Sequence, residues 1–129
     1  MSERVECPLC PQHCQLQEGQ TGLCKARGFK QGEIVSLTYG EVAAWNTDPI
    51  EKKPLFHFYP GSRIFSAGGF GCNLRCFFCQ NHEISQKYEK GCTVSPEELA
   101  KRSLEDGSIG LCFTYSEPLV WYEMIANTA

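Results

Sequence analysis

Apolar and polar positions change pattern twice along the chain. Through residues 1–30 no helical or strand period is visible, and cysteines alternate with Pro8, Pro11, Gly19, Gly22 and Gly28. A segment with so little apolar surface to bury must be organised by its ligands. Residues 33–46 read as a β-hairpin. Glu33-Ile34-Val35-Ser36-Leu37-Thr38 has strand composition, Tyr39-Gly40 offers the turn, and Val42-Ala43-Ala44-Trp45 returns. Residues 47–62 hold Pro49, Pro54 and Pro60-Gly61 around Phe56, His57, Phe58 and Tyr59. They predict an irregular linker that packs its aromatics, with His57 among them, on the next unit.

From Arg63 the pattern changes. Ile64-Phe65-Ser66-Ala67 reads as a short buried strand ending in Gly68-Gly69. Ser95 suits an N-cap, Pro96 the first helical position and Glu98 the capping-box position, with Leu99, Ala100 and Leu104 following and Gly107 as the stop. Ile109-Gly110-Leu111-Cys112-Phe113-Thr114-Tyr115 reads as a second continuous apolar strand. After Ser116-Glu117, Pro118 opens another helical stretch through Leu119, Val120, Trp121, Met124 and Ile125. The order strand–helix–strand–helix predicts parallel strands joined by crossovers, an α/β arrangement. In such sheets the carboxyl ends of the strands lie on one face, where ligands bind. Cys72 follows the first strand and Ser116-Glu117 follows the second, so both loops are expected to share a site.

Composition narrows the classes. The chain has 129 residues, 42% of them hydrophobic, the size and makeup of one ordinary domain. A net charge of −3 argues against a nucleic-acid partner, which favours a basic face. No run approaches the ~18–20 apolar residues of a membrane span, and Met1-Ser2-Glu3-Arg4-Val5-Glu6 lacks the apolar core of a secretion signal. The nine cysteines are an odd number in tight clusters. In a chain without a secretion signal this pattern points to metal sites in a reducing cytoplasm rather than to disulfides.

The tightest cluster is Gly71-Cys72-Asn73-Leu74-Arg75-Cys76-Phe77-Phe78-Cys79, a C-x3-C-x2-C loop. Three local thiolates leave one iron of a cubane cluster without a nearby protein ligand, and an open metal position is what a substrate or cofactor binds. A zinc site completed by His82 is the plainer alternative; spacing and position favour iron and sulfur. Cys7, Cys10, Cys14 and Cys24 form a second set, suited to zinc or to a second cluster, with His13 able to replace one thiolate; the Cys-Pro-Leu-Cys-Pro knuckle favours structural zinc. Thr114-Tyr115-Ser116-Glu117-Pro118 reads locally as a capped helix start. Cys92 reads as an ordinary cysteine, Cys112 as a core residue, Lys52-Lys53 as a solvated pair, and Trp45 and Trp121 as core or interface anchors.

The cysteine loop resembles the signature of the radical S-adenosylmethionine (SAM) superfamily, C-x3-C-x-aromatic-C. Together with Asp48-Pro49-Ile50-Glu51-Lys52-Lys53-Pro54-Leu55-Phe56-His57-Phe58-Tyr59-Pro60-Gly61 and Gln80-Asn81-His82-Glu83-Ile84-Ser85-Gln86, it is similar to the radical SAM proteins of the AmmeMemoRadiSam system. These are relatives of the pyruvate formate-lyase activating enzymes. The similarity runs from Cys7 to Tyr122. It implies that Cys72, Cys76 and Cys79 ligate a [4Fe-4S] cluster and that SAM binds the fourth iron, with Phe78 near the adenine. It also implies that Ser116 and Glu117 lie where the superfamily's Gly-Gly-Glu motif meets the SAM amino group, although this family usually has Asn at the position of Ser116. The implied activity is reductive cleavage of SAM for hydrogen abstraction. Reduced ferredoxin or flavodoxin is the implied electron donor, and a protein is the implied substrate.

The expected fold is then the N-terminal part of a partial (β/α)6 barrel. Residues 1–30 are the four-cysteine segment, 31–62 the hairpin and linker, and 63–129 the first two β/α units. Only two barrel strands are legible, which leaves as the alternative a truncated non-catalytic metal-binding fragment or one subunit of a split enzyme whose barrel another chain completes.

Overall fold

The computed structural model describes residues 4–129; the polar start read at Met1-Ser2-Glu3 lies outside them. The cysteine-rich segment is built on a two-residue ladder. β1 (Val5–Glu6) pairs antiparallel with β2 (Gln15–Leu16), Val5 opposite Leu16. The intervening loop closes through the Cys7 N–H, which donates to the Cys14 carbonyl at 2.9 Å.

The hairpin lies elsewhere than the sequence pattern suggested. β3 (Arg27–Lys30) pairs antiparallel with β4 (Glu33–Ser36), Gly28 opposite Val35 and Phe29 opposite Ile34. Its turn is Gln31-Gly32, with φ of +54° and +84°, the two left-handed residues that a type I′ turn requires. Residues 41–49 therefore do not return onto 33–38. β5 (Glu41–Val42) pairs with β8 (Cys92–Thr93). β6 (Ala44–Pro49) pairs antiparallel along its full length with β7 (Arg63–Gly68). What reads as the start of a linker is thus a strand, leading into a 3-10 turn at Ile50–Lys52. Phe56, His57, Phe58 and Tyr59 are all exposed instead of packing on the next unit.

The main sheet has the order β6-β7-β9, with β9 (Leu111–Phe113) parallel to β7. Between them run the single helical turn α1 (His82–Ser85) and α2 (Pro96–Glu105). The Ser95 hydroxyl accepts from the Glu98 N–H at 3.1 Å and Pro96 opens α2, as the capping signals require. After β9 the chain enters a 3-10 turn, Pro118–Trp121, and α3 (Tyr122–Thr128).

Register divides the sheet into two faces. Thr47, Phe65 and Leu111 stand opposite one another across the strands, as do Trp45, Ala67 and Phe113. This face is largely apolar and packs on Leu99 of α2, Trp121 at the end of the 3-10 turn, Met124 of α3, and Val42 and Val94. On the other face Asn46, Ser66 and Cys112 are aligned, with Asp48 on the same side of β6 by alternation. Neither strand is apolar on both sides, and Cys112 is only half-buried, so it is not a core residue. The N-terminal hairpin is joined to α3 by Arg27, whose Nη1 and Nη2 both reach the Glu123 carboxylate at 2.6 Å. No helix of the described residues is long and apolar enough to cross a membrane.

Candidate functional site

Because β7 and β9 are parallel, their carboxyl ends lie at one edge of the sheet. The chain leaves β7 through Gly68-Gly69 into the cysteine loop and leaves β9 through Thr114-Tyr115-Ser116-Glu117. The two exits are hydrogen-bonded to each other. Asn81 Nδ2 donates to the Tyr115 carbonyl at 3.0 Å, and Ser116 Oγ donates to the Gly69 carbonyl at 2.9 Å. Gly68 permits this approach: a methyl there would collide with the Thr114 carbonyl oxygen and lie 2.9 Å from the Tyr115 ring. Tyr115 itself is held at φ +74°, a conformation that costs a non-glycine residue about 1–3 kcal/mol and clusters at functional sites.

The cysteine loop is folded back on its own base. The Gly71 N–H donates to the Ile84 carbonyl of α1 at 2.9 Å, and Gly71 adopts φ +88°. Cys72 is buried, while Cys76 and Cys79 are partly accessible. The Cys79 N–H donates to the Cys76 carbonyl at 3.1 Å, and Cys79 Sγ lies 3.4 Å from the buried Ser85 hydroxyl. Phe77 and Phe78 meet edge to face and are 98% and 75% exposed, a rare placement for aromatic rings. His82 lies on the exposed side of α1.

Ser116 and Glu117 occupy the shared edge. Ser116 ties the two loops together, as above. Glu117 Oε1 accepts from the Leu119 N–H at 3.1 Å, so this carboxylate caps the 3-10 turn. Between the loops and the Lys52-Lys53-Pro54 segment opens a cleft of about 630 Å3, lined also by Asn81, Cys112, Thr114, Tyr115 and Ser116, within the size range of small-molecule sites.

One wall of that cleft carries a charge cluster that the sequence does not announce. Asp48 is 2% exposed. Its Oδ1 accepts from Lys52 Nζ at 3.0 Å and Asn46 Nδ2 at 3.2 Å; its Oδ2 accepts from Lys53 Nζ at 3.0 Å and Ser66 Oγ at 3.2 Å. Burial pushes the Asp48 carboxyl up, and the two ammonium groups outweigh it, holding the group below its ordinary range. Lys53 also lies 5.5 Å from the centre of the Tyr115 ring. Lys52-Lys53 is therefore not simply a solvated pair. Its partner lies four and five residues upstream at the end of a strand, where linear spacing gives no signal.

The second thiol set is brought together from separate stretches. Cys7, Cys10, Cys14 and Cys24 line one cavity behind the cysteine loop. Burial pushes the Cys24 thiol up, against the pull of the Ala26 and Arg27 N–H groups. All nine cysteines are free, and among the described residues no three or more His, Cys, Asp or Glu side chains are gathered closely enough to hold a metal ion. Cys92 is exposed on β8, away from both sets.

The chain is 40% identical, over 98% of its length, to an uncharacterized protein of Methanocaldococcus jannaschii. The match spans 39% of that protein's length. No family model matches the chain, and no solved structure matches it.

Proposed function

We propose that this chain binds a [4Fe-4S] cluster through Cys72, Cys76 and Cys79, holds SAM beside it, and takes part in radical SAM chemistry. The observation that carries this reading is the juxtaposition of the thiol loop and the Ser116-Glu117 loop at one edge of a parallel strand pair, joined by the Asn81–Tyr115 and Ser116–Gly69 hydrogen bonds. What supports the reading is donor type and place: three free thiols within eight residues, followed directly by Gln80 and Asn81, which line an open cleft of small-molecule size.

When held by Cys72, Cys76 and Cys79, such a cluster would supply the one electron needed for reductive cleavage of SAM, the chemistry that initiates hydrogen abstraction. The chain's own residues bind and orient. The exposed Phe78 ring offers a face for an adenine. Ser116 and Glu117 place a hydroxyl and a carboxylate at the edge where a ligand amino group is received. Lys53, held from behind by the buried Asp48, and Tyr115 form a polar wall of the cleft that orders whatever enters it. Reduced ferredoxin or flavodoxin serves as electron donor, a protein as substrate, and a reducing cytoplasm keeps the thiols free.

A second reading is favoured by the three-residue strand β9, which stands at an edge of the sheet. An open edge is a template for further strands. In that reading the chain is the non-catalytic, cluster-bearing part of a longer or split enzyme. Anaerobic reconstitution followed by iron and sulfide analysis, with dithionite and SAM, separates the readings. About four irons and sulfides at the central loop together with deoxyadenosine support catalysis. The same iron content without cleavage supports the second reading. Zinc at Cys72, Cys76 and Cys79 refutes both. Cys76→Ala is expected to abolish the iron content.

A further inference from the structure

The four N-terminal cysteines line one cavity, where Cys24 joins Cys7, Cys10 and Cys14 from a separate turn. The β1–β2 ladder sets Cys7 beside Cys14, and the tight turn in which the Lys25 N–H donates to the Gly22 carbonyl at 3.0 Å presents Cys24. A methyl placed on Gly22 would lie 3.7 Å from Cys14 Sγ and 3.8 Å from Cys24 Sγ. The cavity they line measures about 10 Å3, room for one water-sized atom and not for the eight atoms of a cubane.

The cavity has unmet polar demand. Arg27 lines it, is 6% exposed, and has no hydrogen-bond partner for Nε, its other two nitrogens being taken by Glu123. Asn73 also lines it, is 8% exposed, and leaves Oδ1 unpartnered. A buried donor without an acceptor is costly. A metal-held thiolate supplies the acceptor that Nε lacks.

We propose that Cys7, Cys10, Cys14 and Cys24 bind a single zinc ion, and that this centre is the rigid support of the Cys72–Cys79 loop. Each ligating thiol releases its proton to solvent as it binds. The support acts through three contacts. The Cys72 N–H donates to the Cys24 carbonyl at 3.0 Å, Gln12 Nε2 donates to the Asn73 carbonyl at 2.9 Å, and the Arg75 guanidinium donates to the Leu23 carbonyl. The inference does not depend on what the supported loop binds.

The test is metal analysis of the full chain beside its Cys72→Ala/Cys76→Ala/Cys79→Ala variant. Both are expected to carry one zinc per chain, released by a mercurial thiol reagent, and Cys14→Ser is expected to lose it. The support role is read by trypsin cleavage after Arg75. Stripping zinc from the intact chain with a chelator is expected to speed that cleavage about tenfold through local opening of the loop, and restoring zinc to reverse it. Iron with sulfide in the triple variant, disulfides among the four cysteines, or no bound metal would overturn the site. Cleavage that is indifferent to zinc would overturn the support role. The chelator arm keeps the test decisive if Cys14→Ser does not fold.

Discussion

Asp48 shows how much chemistry one buried residue can organise. It sits on a strand whose other face is core, so its carboxylate leaves water and must be matched by Lys52, Lys53, Ser66 and Asn46. Removing one partner of a buried pair strands the other charge. Asp48→Ala is expected to cost on the order of 3 kcal/mol in urea unfolding. Asp48→Asn is expected to cost less, since an amide can still accept from Lys53 and Ser66. The sign of the pH effect follows from the lowered carboxyl. The unfolded chain takes up the proton more readily, so this contribution is complete above the ordinary carboxylate value of about 4 and is lost as pH falls through the folded value. Wild-type stability is expected to fall as the pH drops below about 4, with a smaller fall in Asp48→Asn. Equal acid sensitivity in the two proteins would refute the assignment. Sequence pattern alone gave Lys52-Lys53 a solvated reading because the ion-pair geometry exists only once β6 ends against β7.

At the scale of elements, the site depends on how closely β7 and β9 leave the sheet together. Gly68→Ala places a methyl against the Thr114 carbonyl and the Tyr115 ring. Neither neighbour is a flexible side-chain end that can swing away. The substitution is expected to destabilise by about 1–3 kcal/mol and to weaken cofactor retention, because the Asn81–Tyr115 and Ser116–Gly69 bonds lose their register. Ser95→Ala is the natural comparison. It removes the α2 cap, with an expected cost of about 1 kcal/mol, and leaves the loops in place. If both variants retained cofactor equally, the tie between the loops would not be what holds the site. The helix at Pro96–Glu105 is legible in sequence because its cap, its proline and its apolar spacing are all local. The hairpin is not. Arg27–Lys30 carries two charges and a glycine and resembles a strand only when Glu33–Ser36 lies beside it.

Across the whole molecule, Arg27 and Glu123 connect the cysteine-rich N-terminal unit to α3 at the other end of the chain. Arg27 is buried and Glu123 is partly exposed. The Arg27 guanidinium holds the Glu123 carboxyl below its ordinary value, against a smaller opposing push from burial. Glu123→Ala leaves that guanidinium buried and unpaired, with an expected loss on the order of 3 kcal/mol measured by urea unfolding. A loss below about 0.5 kcal/mol would mean that the pair behaves as a surface salt bridge and does not join the two units. Because Arg27 also lines the thiol cavity, this ion pair couples α3 to the support of the cysteine loop.

Local structure was legible from the amino-acid order alone: a capped amphipathic helix, and two short strands separated by a crossover long enough to make them parallel. Tertiary structure decided which strands pair, that Cys112 lines a polar cleft rather than the core, that Cys24 joins Cys7, Cys10 and Cys14 at one cavity, and that Asp48 gathers two lysines. The division has a physical cause. Caps, turns and ligand spacings draw their free energy from neighbours a few residues away, whereas strand pairing, burial and charge matching draw theirs from residues dozens of positions apart.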